Sequence, residues 1–129
     1  MITEQEKNKA LLQWLKLHQN NKTLADLLKE RGIRSIGICG YRDYGRLVCQ
    51  ERLESGFEIG FILERNYEAM SVIYEEQGVP VIGFEGCGDY EQIETVLLTP
   101  DLDDAVIRQG LELAGVKMAV LPLTTLLNE

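Results

Sequence analysis

The chain has 129 residues, of which 45% are hydrophobic and 26% are charged, and this composition is typical of one globular domain with a core of its own. Its net charge of −8 disfavours nucleic acid and anionic membrane surfaces as partners, because both bind basic protein surfaces. No apolar run reaches the roughly 18 residues of a membrane helix, and Met1–Gln13 is too polar for a signal peptide, so we expect a cytoplasmic protein with no membrane partner.

The first 32 residues predict a helical arm. A helix is expected after Thr3, because Thr3-Glu-Gln-Glu6 is a capping-box pattern whose side chains bind backbone N–H groups. A second, shorter helix is expected between the similar pattern Thr23-Leu-Ala-Asp26 and Gly32. The first helix carries an apolar stripe, either core or a seam between subunits, made of Leu11, Leu12, Trp14, Leu15 and Leu17. Because so short an arm cannot bury this stripe alone, we expect a homodimer that uses the arm.

From Ile33 onward, short apolar runs alternate with helical patterns. The predicted strands are Ser35–Cys39, Phe57–Leu63, Val79–Phe84, Thr95–Thr99 and Lys117–Leu121. The predicted helices are Tyr44–Ser55, Tyr67–Glu76 (where strand signals compete), Asp103–Ala114 and the terminal turn Thr124–Leu127. In the first of these helices, Leu47, Val48 and Leu53 are expected to face inward. Such alternation predicts βαβ units. Residues 33–129 are therefore expected to form an α/β domain, one folding unit with the arm, in which helices cover both faces of a single parallel sheet of about five strands in the order 3-2-1-4-5.

The turn after the first strand, Gly40-Tyr-Arg-Asp-Tyr-Gly45, carries the most chemical information. A strand that runs into a glycine turn and then a helix is how Rossmann folds present backbone N–H groups to phosphate, so the sheet is expected to be Rossmann-like. The spacing Gly40-x-Arg42-x-x-Gly45 matches G-x-G-x-x-G with its middle glycine replaced. Gly40 would make the tight turn, and Gly45 would let the following helix pack closely on the sheet.

The other candidate residues lie at the same predicted edge of the sheet. Glu64 ends the second strand, where an acidic residue normally binds a ribose hydroxyl, and its charge favours NAD over NADP. Because open α/β sheets bind ligands at the topological switch point, the cleft is expected between the glycine turn and the loop Thr99-Pro100. The candidate residues for binding a small phosphate-bearing ligand are Gly40, Tyr41, Arg42, Asp43, Tyr44, Gly45, Glu64, Arg65, Thr99 and Pro100.

Two of these side chains have alternative roles. Arg42 stands where a small residue normally lets a pyrophosphate approach the backbone. It either clamps a phosphate bidentately or fills the cleft and prevents ordinary dinucleotide binding. Tyr44 either stacks on a base or packs in the first turn of its helix.

No metal site is predicted. The three cysteines, Cys39, Cys49 and Cys87, have no C-x-x-C spacing, and the single histidine, His18, belongs to a different segment. We expect reduced thiols packed as small apolar groups, with Cys87 the most exposed of them because it lies between two glycines. His18 is expected to face solvent.

Four segments of the chain are similar to the motifs of a known protein family: Cys39-Gly-Tyr-Arg-Asp-Tyr-Gly-Arg46, Glu64-Arg-Asn66, Val79-Pro-Val81 and Val96-Leu-Leu-Thr99. Together they resemble the small Rossmann domains of bacterial surface-polysaccharide loci, which are similar to the N-terminal domains of nucleotide-sugar dehydratases and sugar acetyltransferases. The resemblance implies binding of a nucleotide, NAD(P) or a nucleotide sugar, and a role near glycan assembly. The resemblance does not by itself imply a catalytic activity, because the parent enzymes keep their catalytic residues in segments that this chain lacks. Arg42 in place of a glycine and Glu64 in place of the usual aspartate depart from the family pattern.

Three functional hypotheses remain, since the sequence contains neither a Tyr-x-x-x-Lys pair nor a G-x-S-x-G elbow. The leading one is a non-catalytic module that binds a nucleotide or nucleotide sugar in surface-polysaccharide biosynthesis. The second is an NAD(P)-dependent enzyme, or subunit, that acts on nucleotide sugars. The third is an interaction protein whose cleft is vestigial.

Overall fold

The computed structural model describes residues 3–40, 43–55, 57–64, 79–90, 92–100 and 102–127, and the side chains of all of these except 43 and 52–55. In this part of the chain, one sheet contains β1 (Ser35–Cys39), β2 (Glu58–Leu63), β3 (Val81–Ile82), β4 (Thr95–Leu98) and β5 (Ala119–Pro122). All neighbouring strands are parallel, and their order is β3-β2-β1-β4-β5. The predicted fold class and strand order are therefore confirmed.

The strand ends follow from pairing partners. β1 has its predicted bounds because β2 and β4 flank it on both sides. β3 is shorter than the predicted Val79–Phe84, since only two of its residues pair with β2 and the chain then enters a 3-10 helix at Glu85–Asp89. At the other edge of the sheet, β5 ends at Pro122, whose ring nitrogen carries no hydrogen.

The helices are α1 (Glu4–Gln19), α2 (Leu24–Glu30), α3 (Asp43–Ser55), α4 (Asp104–Leu113) and α5 (Leu123–Leu127). The predicted Thr3 cap forms through the Thr3 side chain, which accepts from Glu6 N, and Thr23 and Asp26 make the full reciprocal capping box. Gly32 follows α2 with a φ of +74°, a left-handed conformation typical of a residue after a helix end. The predicted helix Tyr67–Glu76 lies outside the described residues.

Two apolar layers cover the sheet. One contains Trp14, Leu28, Val48 and Leu126 from α1, α2, α3 and α5, packed on one face. The other contains side chains from α4 and the 3-10 helix, packed on the opposite face with Phe61, whose ring centroid lies 5.1 Å from that of Tyr90. Helices therefore cover both faces, as predicted, and the first 32 residues contribute directly to one of the two cores.

Two predictions about burial are wrong. Leu47 was expected to face inward, but its side chain is 45% exposed, because the inward face of α3 is the one that carries Val48 and Glu51. Cys87 was expected to be the most exposed thiol, yet it is buried, because the 3-10 helix turns its Sγ towards the carbonyl oxygen of Gly83, 3.8 Å away. Cys39 and Cys49 are also buried, as predicted. Leu53 was also predicted to face inward, but its side chain is not among those that the structure describes.

No helix within the described ranges combines the length and the apolar character that crossing a membrane requires.

Candidate functional site

Gly40 forms the turn at the carboxyl end of β1. It is buried and has a φ of +93°, which L residues with a side chain rarely adopt. A Cβ placed on it would lie 2.5 Å from the Thr99 Oγ1 and 2.9 Å from the Leu102 Cδ1, closer than real contacts allow. Glycine is therefore required here for both conformation and space, as the tight-turn interpretation demands.

Thr99 holds the end of β4 against the end of β1. Its side chain is fully buried, and both its backbone N and its Oγ1 donate to the carbonyl oxygen of Cys39, over 3.2 Å and 3.1 Å. Its own carbonyl oxygen accepts from Leu102 N, and Pro100 beside it is buried. The two loops that border the topological switch point are thus joined directly.

Helix α3 begins at Asp43, three residues after Gly40. The first N–H groups of a helix have no partner within the helix and carry the positive end of its dipole, so this terminus favours an anion. Gly45 lies buried in the first turn of α3. Tyr41, Arg42 and Arg65 lie outside the described residues, as does the side chain of Asp43.

Glu64 follows β2 at the same edge. Its backbone N donates to Ile82 O over 2.9 Å, and its side chain is partly buried. Burial raises the pKa of the Cys39 thiol, and the negative charges of Glu64 and of ionised Cys87 raise it further, so the Glu64 carboxylate lies within electrostatic reach of the end of β1. The structure therefore brings Gly40, Thr99 and Glu64 to one edge.

Tyr44 faces a different neighbour. Its hydroxyl donates to the carbonyl oxygen of Lys7 on α1 over 3.2 Å, and its ring packs against the core layer of that helix. Of the two roles considered for Tyr44, the structure thus favours packing. The contact also joins the first turn of α3 to the arm.

A second polar cluster was not predicted. Glu51 on α3 is only 3% exposed, and its Oε1 accepts from Trp14 Nε1 over 2.9 Å and contacts His18 Nε2. Its Oε2 accepts from the backbone N of Leu24, the first residue of α2, over 2.6 Å. One carboxylate therefore connects three helices. Its signal in the sequence is the position of Glu51, three residues after Val48 and thus on the buried face of α3.

His18 is exposed, as predicted, and it also contacts a buried group. Its side chain is 43% exposed, yet the ring contacts the buried carboxylate of Glu51. This histidine lies at the rim of a cavity of about 380 Å³ between α1 and α3, whose other lining residues are Leu11, Trp14, Leu15, Leu47, Gln50 and Glu51. A larger cavity of about 820 Å³ opens at the amino ends of β1 and β2, beside Arg34, Ser35 and Glu58, on the edge opposite Gly40.

Among the residues with described positions, no three His, Cys, Asp or Glu side chains come together in a way that could hold a metal ion.

The geometry defines a Rossmann-like α/β protein with a glycine turn at its switch point. Comparison of the chain with protein-family models, with curated proteins and with solved structures found no match.

Proposed function

We propose that the chain is a non-catalytic module that binds a nucleotide or nucleotide sugar at the carboxyl edge of β1 and β4. The observation that carries the proposal is Gly40: a buried, left-handed glycine three residues before the start of α3, at the switch point of a parallel sheet. In this arrangement the phosphate accepts from the first N–H groups of α3, and Arg42 adds a charge-assisted bond. Glu64 accepts from a ribose hydroxyl.

The type of ligand is suggested by the resemblance to domains of surface-polysaccharide loci. A nucleotide sugar, a nucleotide and NAD(P) share a phosphate beside a ribose, which is the pair of groups that the N-terminus of α3 and Glu64 suit. A role in surface-polysaccharide biosynthesis belongs to the same proposal.

We propose a non-catalytic module because the histidine lies far from the proposed phosphate site. His18 is the one histidine of the sequence, and it contacts Glu51, eight residues into α3. That is about 12 Å along the helix axis from the end that faces the proposed phosphate. A histidine general base is therefore not placed at this edge.

The proposal is tested by calorimetric titration of the protein with NAD(H), NADP(H), AMP, coenzyme A and a panel of nucleotide sugars. We expect micromolar binding of one class and a roughly 10-fold or greater weakening by Arg42→Ala, since a lost charge-assisted phosphate contact is worth at least this much. The matched control is Arg34→Ala, which removes an exposed arginine at the opposite edge and is expected to leave binding unchanged.

Two outcomes would overturn the proposal. Absence of binding across the panel by a folded sample would indicate that Arg42 fills the cleft and that the chain acts through a protein partner. Turnover of NAD(P) with any nucleotide sugar would establish an enzyme instead of a binding module.

A further inference from the structure

Four large apolar side chains form an exposed patch on α1 and α3. These are Leu11, Leu12, Leu15 and Leu47, with exposed fractions of 39%, 54%, 57% and 45%; we call them the α1 patch. Within the described ranges, Leu113 on α4 is the one other large apolar side chain exposed to this degree. Contiguous apolar surface of this kind marks a contact with another molecule more often than single exposed leucines do.

The α1 patch is held in place by contacts on the inner side of the same helices. Near the start of α1, Lys7 O accepts from the Tyr44 hydroxyl, and farther along, the Trp14 indole donates to Glu51. The first contact joins the start of α1 to the start of α3, and the second joins residues seven positions later on both helices, so α1 and α3 run parallel, side by side. The Trp14 side chain faces inward between them. The leucines on the outer side of α1 are thereby fixed as a preformed ridge beside Leu47.

The residues along this ridge repeat with a coiled-coil spacing. Glu4, Asn8, Leu11, Leu15 and His18 follow one another at intervals of four, three, four and three residues, which places them in one row along α1. Apolar residues occupy the centre of the row. Its acidic end is in the first turn of the helix and its basic end in the last turn, where Lys16 is also located.

We propose that the α1 patch binds a second copy of this chain through an antiparallel pair of α1 helices that cross near Leu11. In that orientation Glu4 of each copy faces the basic last turn of the other, whereas a parallel pair would bring like charges together. Leu11, Leu12 and Leu15 of both copies become buried at the centre. A two-fold interface must be complementary to itself, and a row with an apolar centre, Glu4 at one end and His18 at the other meets that condition, although Glu4 Oε1 also lies 3.6 Å from Lys7 Nζ of its own helix.

The net charge of −8 on each copy opposes association. This repulsion is reduced at physiological salt, where the Debye length is about 8 Å, because charges separated by more than this distance are largely screened. The test is therefore performed at physiological ionic strength.

The first measurement is sedimentation equilibrium at protomer concentrations from about 1 to about 200 μM. We expect a monomer–dimer equilibrium, and we expect Leu15→Glu to raise the dimer dissociation constant by about 100-fold or more, since each dimer then buries two new charges. Leu47→Glu, on the other helix of the α1 patch, is expected to raise the dimer dissociation constant as well. The control is Ala105→Glu, an exposed position on α4 that leaves the equilibrium unchanged. Circular dichroism verifies that each variant is folded.

Cross-linking tests the orientation. In the antiparallel pair, Leu11→Cys brings two thiols together at the crossing, whereas Glu4→Cys leaves them about 21 Å apart along the axis. Mild oxidation should therefore link Leu11→Cys chains and leave Glu4→Cys chains unlinked. The native thiols are buried and do not compete.

Three results would overturn the proposal. One is a monomer over the whole concentration range. Another is a dimer that Leu15→Glu and Leu47→Glu leave intact, and the third is efficient linking of Glu4→Cys, which would require parallel helices.

Discussion

Replacement of Glu51 with alanine tests whether one buried carboxylate holds α1, α2 and α3 together. In the native chain this carboxylate accepts from Trp14 Nε1 and from Leu24 N, and it contacts His18. Alanine cannot accept either hydrogen bond. The indole N–H is buried, and the Leu24 N–H is at the N-terminus of α2, where no carbonyl of the same helix can replace the lost acceptor.

The expected loss of stability follows from these orphaned donors. Each buried donor without a partner costs about 1–3 kcal/mol, so the loss of the acceptor of two donors in Glu51→Ala should lower the free energy of unfolding by about 2–6 kcal/mol. This is a large share of the roughly 5–15 kcal/mol typical of a domain. Glu51→Gln should have an intermediate effect, because the amide keeps one acceptor oxygen but turns its own N–H groups towards a donor.

The assay is urea denaturation followed by circular dichroism. Glu30→Ala is the matched control: its exposed carboxylate lies 3.9 Å from Lys22 Nζ, and its removal should cost less than about 0.5 kcal/mol. A double-mutant cycle with Trp14→Phe should reveal a coupling of about 1 kcal/mol or more with Glu51. A loss below about 1 kcal/mol for Glu51→Ala, at an unchanged denaturant slope, would refute the reasoning.

Two further predictions concern the opposite face of the sheet. A Cβ at Gly110 would lie 2.4 Å from Cζ of Phe84, so Gly110→Ala should lower the free energy of unfolding by about 1–3 kcal/mol. The control Gly88→Ala should change this free energy little, because no heavy atom lies within 4 Å of a Cβ placed there. Equal effects of the two variants in urea denaturation would contradict the prediction. Burial raises the pKa of Cys87 from 9.0 to about 11, and only the unfolded chain ionises between these values. The free energy of unfolding should therefore decrease between about pH 9 and about pH 11, and the decrease should be smaller in Cys87→Ala. The same decrease in Cys87→Ala as in the native chain would contradict the prediction.

The sequence predicted those parts of the fold that depend on local pattern. β1 has its predicted bounds because a short apolar run ends at a glycine that must turn. β3 was not predicted correctly by this pattern, because its apolar run is longer than the strand. The length of an edge strand depends on how many of its residues pair with the one neighbouring strand. The same limit explains Cys87, because flanking glycines indicate a turn but not the direction in which the turn points its middle side chain.

The candidate site was predictable to the extent that topology determines it. The switch point, the turn at Gly40 and the position of Glu64 at the end of β2 all follow from the order of the strands. Glu51 could not be found in this way, because its importance depends on α1 and α2 both reaching the inner side of α3. A sequence shows that a carboxylate lies on a buried helix face but not which donors will meet it.

The borders of the sheet have a consequence for behaviour at high concentration. Polymers of stacked strands grow where an outer strand offers a long row of free backbone donors and acceptors. Within the described residues, β3 contributes two residues to such a row, and β5 ends in a proline that cannot donate. Neither of these two described strands is a good template for fibril growth. Concentrated samples should therefore scatter light as small closed particles and should not bind amyloid dyes.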